Sequence, residues 1–331
     1  VIGSFIEDTM NNSARFSLPN GHAACYDSMH EINLVGGSDI SLERRIAFSK
    51  RWNLPEKQVY ADYIKFLDEQ NLDIVSIATP SPHHTTPTLD SINAGIRAIF
   101  LEKPIASNIA EAKKIIYESD KNNVSLAINH TRRGDYAYRV AKKLIDDGSI
   151  GELHTMIAHF SGALMFIGSH AVDILNYFVG DCPVKWMTGH LDKEPDFDPG
   201  GNAYILYENG VRAFVNGTTG HALGFKIEVI GSEGEIIIGN HDLQFWRTNT
   251  EGGSRTLVQH PFPQVYTAIS PMVALIEELI AASKGGPAPI SNGSTALEAL
   301  KIIVGLHISS SKDSSRVTLN ELDENFDIPS L

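Results

Sequence analysis

Residues 73–104 read DIVSIATPSPHHTTPTLDSINAGIRAIFLEKP. Asp73 to Ala78 and Arg97 to Leu101 are short runs rich in apolar and β-branched residues. The first ends at Thr79-Pro80 and the second at Glu102-Lys103-Pro104. Between them, Thr85 to Ala94 places apolar residues at helical spacing, and Gly95 follows where a helix C-cap is expected. Strand, helix and strand within about thirty residues is the unit that builds a parallel sheet with a crossover helix.

The same unit extends in both directions. Upstream, Glu31 to Gly37 reads as a strand and Leu42 to Trp52 as a helix; downstream, Ile109 to Asn122 reads as a helix and Val124 to Ile128 as a strand. A further helix, Tyr136 to Asp147, stops at Gly148, and the regime changes at Ile150-Gly151-Glu152-Leu153. From there the strands meet through tight turns. Ala203 to Tyr207 and Val211 to Val215 are joined across Glu208-Asn209-Gly210, the strongest kind of short hairpin signal, and Ile227 to Ile230 and Glu235 to Ile238 flank Gly234. Helices Met272 to Ser283 and Thr295 to Ser311 follow, separated by Gly285-Gly286-Pro287. The expected fold is α/β: a doubly wound parallel sheet, then a second α/β domain around a large, mainly antiparallel sheet. Such a sheet buries one face and leaves the other open, so a homodimer or homotetramer through the open face is expected.

The chain has 331 residues, about twice the usual size of one domain, which favours two domains over one core. A net charge of −13 argues against a nucleic-acid partner, because phosphate binding rests on Lys and Arg. No apolar run approaches the roughly 18 residues that span a bilayer, so no membrane partner is expected and a small-molecule substrate is. Two cysteines, Cys25 and Cys182, make neither a disulfide framework nor a thiolate zinc site, and no metal is expected. The visible start shows no basic-then-apolar leader, and a reducing cytoplasm is the expected compartment.

In a doubly wound sheet, ligands bind beyond the carboxyl ends of the strands. Three segments fall there: Thr79-Pro80-Ser81-Pro82-His83-His84, Glu102-Lys103-Pro104 and Asn129-His130-Thr131-Arg132-Arg133. Singly they say little, since Thr79-Pro80 is also a rigid turn and Glu102-Lys103 also a solvated pair. Together with Ile77-Ala78, Gly148-Ser149-Ile150-Gly151 and Gly168-Ser169-His170-Ala171-Val172-Asp173, they carry more. Their order and spacing resemble the glucose–fructose oxidoreductase, inositol dehydrogenase and MocA-like family over nearly the whole chain.

The resemblance implies a Rossmann-type dinucleotide-binding domain in residues 1–130 and a substrate-binding and oligomerisation domain in residues 131–331. It also implies hydride transfer between nicotinamide and a carbinol carbon of a sugar, polyol or related cyclic alcohol. Removing the hydroxyl proton needs a base with a pKa near neutrality, and His170, near the start of a helix whose dipole favours neutral imidazole, fits as general acid/base. Lys103, beside the nicotinamide, would stabilise the developing alkoxide and depress the His170 pKa. Taken alone, His170 reads as a structural helix-start residue and Lys103 as a surface lysine. For the cofactor, the resemblance carries Asp39 to the adenosine ribose, where a carboxylate favours NAD and repels a 2′-phosphate; Arg44 and Arg45 nearby leave NADP open. Thr79, Pro80 and His84 would line the nicotinamide-side wall, Glu102 would lie near the nicotinamide ribose, and Asn129 near the ring. Asp173 would orient a neighbour or simply pack. Whether the bond before Pro104 is cis is left open.

Two features depart from the family pattern. The glycine-rich phosphate turn is reduced to Val1-Ile2-Gly3-Ser4-Phe5, so Gly3 and Ser4 are expected on the phosphates with Phe5 crowding them. Val1 reads as the end of a first strand rather than its beginning. Many relatives carry a carboxylate four residues before the catalytic histidine, where this chain has Phe166. Phe166 therefore implies either a less polar substrate or a subgroup whose polar contacts come from elsewhere, with His130 and Arg133 as the residues to supply them. The departures also admit a nonenzymatic nucleotide- or sugar-binding sensor. An NAD-using glycosidase or lyase, in which hydride is removed and returned without net redox change, is the third reading.

Overall fold

The three apolar runs around residue 100 form the centre of the first sheet. In the computed structural model, which describes residues 1–3, 19–192, 198–218, 224–250, 253–264 and 269–328, β4 (Ile74–Ala78), β5 (Ala98–Leu101) and β6 (Ser125–Ile128) pair in parallel. β5 is buried along its whole length because helices cover both faces. β1 (Ile2–Gly3) pairs with the far edge of β4, followed by β2 (Gly37–Ser38) and β3 (Val59–Tyr60). The order β3-β2-β1-β4-β5-β6 is doubly wound, with its switch point between β1 and β4.

The connecting helices α2 (Leu42–Arg51), α4 (Thr85–Asn93) and α5 (Ile109–Lys121) lie where their periodicity places them. Asn108 caps α5 by accepting from the Glu111 amide at 2.8 Å. One expected strand is much shorter than its pattern: of Glu31 to Gly37, only Gly37 is paired. The Val1 nitrogen donates to the Gly36 carbonyl at 3.2 Å.

The second sheet has the order β14-β13-β12-β11-β7-β10-β9-β8, with β8 at Val184–Leu191, β13 at Leu243–Asn249 and β14 at Thr256–His260, and is antiparallel except where β10 (Arg212–Thr218) runs parallel to β7 (Leu153–Ser161). Both expected hairpins form: β9 (Gly201–Tyr207) with β10, and β11 (Lys226–Gly231) with β12 (Gly234–Gly239). β10 alternates strictly, burying Ala213, Val215 and Gly217 and exposing Arg212, Phe214 and Asn216. The buried face packs under α8 (Ser169–Val179) and α10 (Gly293–Ser311). The open face carries an aromatic row in which Tyr204 lies 5.1 Å from Trp186 and 5.2 Å from Phe214, ring centre to ring centre.

The chain does not stay on one side of residue 130. Helix α9 (Pro271–Ser283) returns to the first sheet and packs Met272, Leu275, Ile276 and Leu279 with Phe48, Ala98 and Phe100. Among the described residues, no helix is long and apolar enough to cross a membrane.

Candidate functional site

At the carboxyl end of β5, Glu102 is the hub of a buried network. Its Oε1 accepts from Asn129 Nδ2 at 2.6 Å and from His22 Nε2 at 2.9 Å, and its Oε2 from the Lys103 amide at 3.1 Å. A carboxylate only accepts, so His22 donates through Nε2. His22 Nδ1 lies 3.0 Å from Ser76 Oγ, and that same oxygen hydrogen-bonds the Tyr26 hydroxyl at 2.6 Å. Burial pushes the Glu102 carboxyl up, but the hydrogen bond and charge of His22, with Asn129 and Lys103, outweigh it and bring the pKa down to about 2. His22 opens the short helix α1 (His22–Asp27), which sits directly behind this strand end.

The Lys103–Pro104 bond is cis. The Lys103 ammonium donates to the Phe166 carbonyl at 2.8 Å and lies 3.9 Å from the centre of the Phe166 ring. Burial lowers the Lys103 pKa, Glu102 and Asp198 oppose this, Arg132 adds to it, and the result is about 8. Phe166 is 62% exposed and belongs to a single π-helical turn, Leu164–Gly168, that leads into α8. An aromatic face on the rim thus stands where a carboxylate was the family expectation.

His170 is the second residue of α8, a helix buried on every side and ended by Gly180 in the left-handed region at φ +80°. Its pKa lies well below the usual histidine value, first because of burial and then because Arg132, Lys103 and His130 are close. Burial, rather than the helix dipole invoked from sequence, is therefore the main reason for a neutral ring. The His130 and His170 rings meet edge to face with centroids 5.8 Å apart. Neither His130 ring nitrogen, nor His170 Nδ1, nor Asn129 Oδ1 has a hydrogen-bond partner among the described residues, although all are buried. Such orphaned polar atoms at the carboxyl end of a parallel sheet fit a polar ligand with hydrogen-bonding groups of its own, as a nicotinamide dinucleotide and a polyol have.

Arg133 is placed differently from its expected role as a substrate contact. Its Nε donates to both Asp173 carboxylate oxygens at 2.9 Å, and its Nη2 donates to Asp181 at 2.9 Å. The side chain is fully buried, so the guanidinium is committed to holding α6 (Thr131–Gly134) against α8. That answers the question left open for Asp173, which anchors Arg133 and lies 3.5 Å from His130 Nδ1.

The remaining candidates divide. Gly3, at φ +103°, packs so tightly that a Cβ would lie 2.6 Å from the Thr79 amide nitrogen, so β1 and the end of β4 require glycine there. Ser4 and Phe5 lie outside the described residues. Asp39 follows β2 and is buried; it accepts from the Ser41 amide at 2.7 Å and lies 3.7 Å from Arg44. Arg45 donates to the Asp39 and Ile40 carbonyls, whereas Arg44 is 60% exposed. Thr79 and Pro80 turn the chain out of β4. His84 is fully buried beneath them, its Nε2 2.8 Å from the Thr79 carbonyl and its Nδ1 2.7 Å from the Pro104 carbonyl. It sits between two strand-end turns; as a neutral ring it has a single N–H, so it donates to one of these carbonyls and faces the other without a hydrogen bond.

Residues 15–130 match the oxidoreductase family's NAD-binding Rossmann fold, and residues 142–319 match the oxidoreductase family's C-terminal alpha/beta domain. The chain belongs to the glucose–fructose oxidoreductase, inositol dehydrogenase and MocA-like family. It is 28% identical over 201 residues to scyllo-inositol 2-dehydrogenase (NAD(+)) of Bacillus subtilis (strain 168), a match spanning 54% of this chain and 58% of that enzyme. It is 21% identical over 333 residues to D-apiose dehydrogenase of Paraburkholderia graminis, covering 91% of this chain and 87% of that one. An inositol dehydrogenase homolog from Azotobacter vinelandii, complexed with NADH and myo-inositol, shares the fold with a TM-score of 0.74 at 18% identity. That similarity covers 87% of this chain and 90% of the other.

Sequence reasoning missed three residues that shape this family site: His22, Arg132 and Asp198. His22 is 80 positions from Glu102, and no spacing rule joins them. Arg132 was quoted only as part of a strand-end run, yet its guanidinium lies 3.4 Å from the Phe225 ring centre and its charge reaches both Lys103 and His170. Asp198 stands before Pro199-Gly200-Gly201, where an acidic residue reads as turn chemistry.

Proposed function

We propose that this chain is an NAD(P)-dependent dehydrogenase or reductase acting on a carbinol carbon of a sugar, polyol or related cyclic alcohol. The observation that carries this reading is the gathering of Lys103, His170, His130 and Asn129 at one set of strand ends, where three of the four keep buried polar atoms without a hydrogen bond among the described residues. When bound, the nicotinamide accepts or returns the hydride; the rest of the chemistry belongs to the chain. His170, neutral at pH 7, takes the hydroxyl proton in the oxidative direction and returns it in reduction. Lys103, cationic below about pH 8, stabilises the oxygen from which that proton leaves. One of the three N–H donors of this ammonium goes to the Phe166 carbonyl, which leaves two for the substrate oxygen.

Glu102 and Asn129 orient the nicotinamide side, with Thr79 and Pro80 as its wall and His84 as their brace. Gly3 would admit the phosphates. Asp39 would take the adenosine ribose and favours NAD, while the exposed Arg44 is the group that would reach a 2′-phosphate in NADP. His130 and Phe166 face the substrate, and Arg133 holds the helix that carries His170. We place the functional division near residue 130 and assign oligomerisation, as a dimer or tetramer, to the open sheet face bearing Trp186, Tyr204 and Phe214.

Titration of NADH and NADPH, followed by nicotinamide fluorescence, tests the reading. Binding of either at about micromolar Kd, some 8 kcal/mol, supports it and fixes the cofactor. If neither binds, the redox assignment fails and the sensor reading takes its place.

A further inference from the structure

The turn beneath Lys103 is held from one direction. The two Asp198 carboxylate oxygens accept from the Met165 and Phe166 amides, each at 2.9 Å, and the neighbouring Pro199 carbonyl accepts from the Leu164 amide at 2.8 Å. Three successive amides of the π-helical turn are thus tied to the segment that enters β9. The fixed turn presents the Phe166 carbonyl, which receives the Lys103 ammonium. Asp198 is itself buried, and its charge acts on Lys103.

We propose that Asp198 is a positioning residue for Lys103. From the β9 side it supplies the negative charge that the Phe166 side chain does not, and it fixes the carbonyl on which the ammonium rests. The inference builds on the reading of Lys103 as charge stabiliser. Asp198 faces Lys103; Lys103 also faces Glu102 and Arg132; and His170 lies beside Arg132, Lys103 and His130. The ammonium therefore sits between two carboxylates and one guanidinium, and removing Asp198 tips that balance towards the neutral amine. Burial holds the Asp198 carboxyl up at about 6, so its charge is present throughout the range in which Lys103 titrates.

The test needs no substrate. Competitive acetylation of Lys103 by acetic anhydride, read by peptide mass spectrometry across about pH 6 to 10, reports its titration directly. In the unaltered chain the midpoint is expected near 8. Asp198→Asn is expected to lower it by about one unit, the usual effect of losing a neighbouring opposite charge, while Asp198→Glu, which keeps the charge, stays close to the unaltered value. Superimposable curves for Asp198→Asn overturn the proposal. So does a midpoint rising towards 10.5, which marks an opened turn rather than a lost charge, and so does a Glu variant that shifts as far as the Asn variant. Circular dichroism of the variants checks that they fold, and if the Asn variant does not, Asp198→Ser, which also removes the charge, takes its place and must show the same lowering. Protection of Lys103 by NADH is a separate readout. Its absence counts against the nicotinamide-side placement of Lys103 and leaves the comparison of midpoints standing.

Discussion

On the β5 side of the site, Glu102 takes hydrogens from His22, Asn129 and the Lys103 amide, and the His84 ring donates to one of the two backbone carbonyls it lies between. On the α8 side, neither His130 ring nitrogen nor His170 Nδ1 makes a hydrogen bond among the described residues, although Asp173 lies 3.5 Å from His130 Nδ1 and both rings are buried. A buried polar group without a partner costs about 1–3 kcal/mol, so the two sides are stabilised very differently in the free chain. The first is already organised and can orient a ligand without rearranging. The second keeps hydrogen-bonding capacity for a ligand, and selectivity among related alcohols is built most readily from groups of that kind.

Lys103 joins the two sides, and removing it gives the largest effect. Lys103→Met should lower turnover of any sugar or polyol found to react by more than about a thousandfold, with NADH affinity kept within about tenfold, or 1.4 kcal/mol. Full activity in that variant would break the assignment of the charge-stabilising role. The brace comes next. Arg133→Met leaves the Asp173 carboxylate buried without its guanidinium, and chemical denaturation should show a loss of about 3–5 kcal/mol. A loss below about 1 kcal/mol would mean that the pair contributes little and that Arg133 is available for another role.

The smallest effect sharpens the paired side. The Glu102 pKa in the folded chain, about 2, lies below its ordinary value of 4.5. Its ionised form therefore adds stability that is fully present above pH 4.5 and drains away as pH falls towards 2. Urea midpoints measured at several pH values should show this acid-side loss in the unaltered chain and a weaker one in Glu102→Gln. Parallel pH dependences would show that the network around Glu102 does not carry that share of stability.

Much of the fold was legible because it depends on local periodicity. The strand, helix and strand of residues 73–104, the Asn209-Gly210 hairpin and helix α10 each follow from residues within one element. Where a partner was required, local pattern failed. Glu31 to Val35 has strand-like composition but pairs with no strand among the described residues, and α9 follows the second sheet in sequence yet covers the first sheet. At the site, Lys103, Glu102, Asn129 and His170 stood out as strand-end or helix-start residues, and the fold brings them together. Arg133 stood out for the same reason, but its nearest ionic partners, Asp173 and Asp181, are 40 and 48 positions away.

The sequence alone determined the alternation of elements, the change from parallel to hairpin pairing and the set of polar residues at the ends of strands, because side-chain period and turn chemistry act within a few residues. Only the tertiary structure decided which of those polar groups are paired and which are left for a ligand. That choice depends on contacts between distant segments: His22 with Glu102, Asp198 with the Phe166 turn, and Arg133 with α8. Burial adds to each contact an energy that no local pattern encodes, since the same carboxylate or imidazole changes its protonation once water is removed around it.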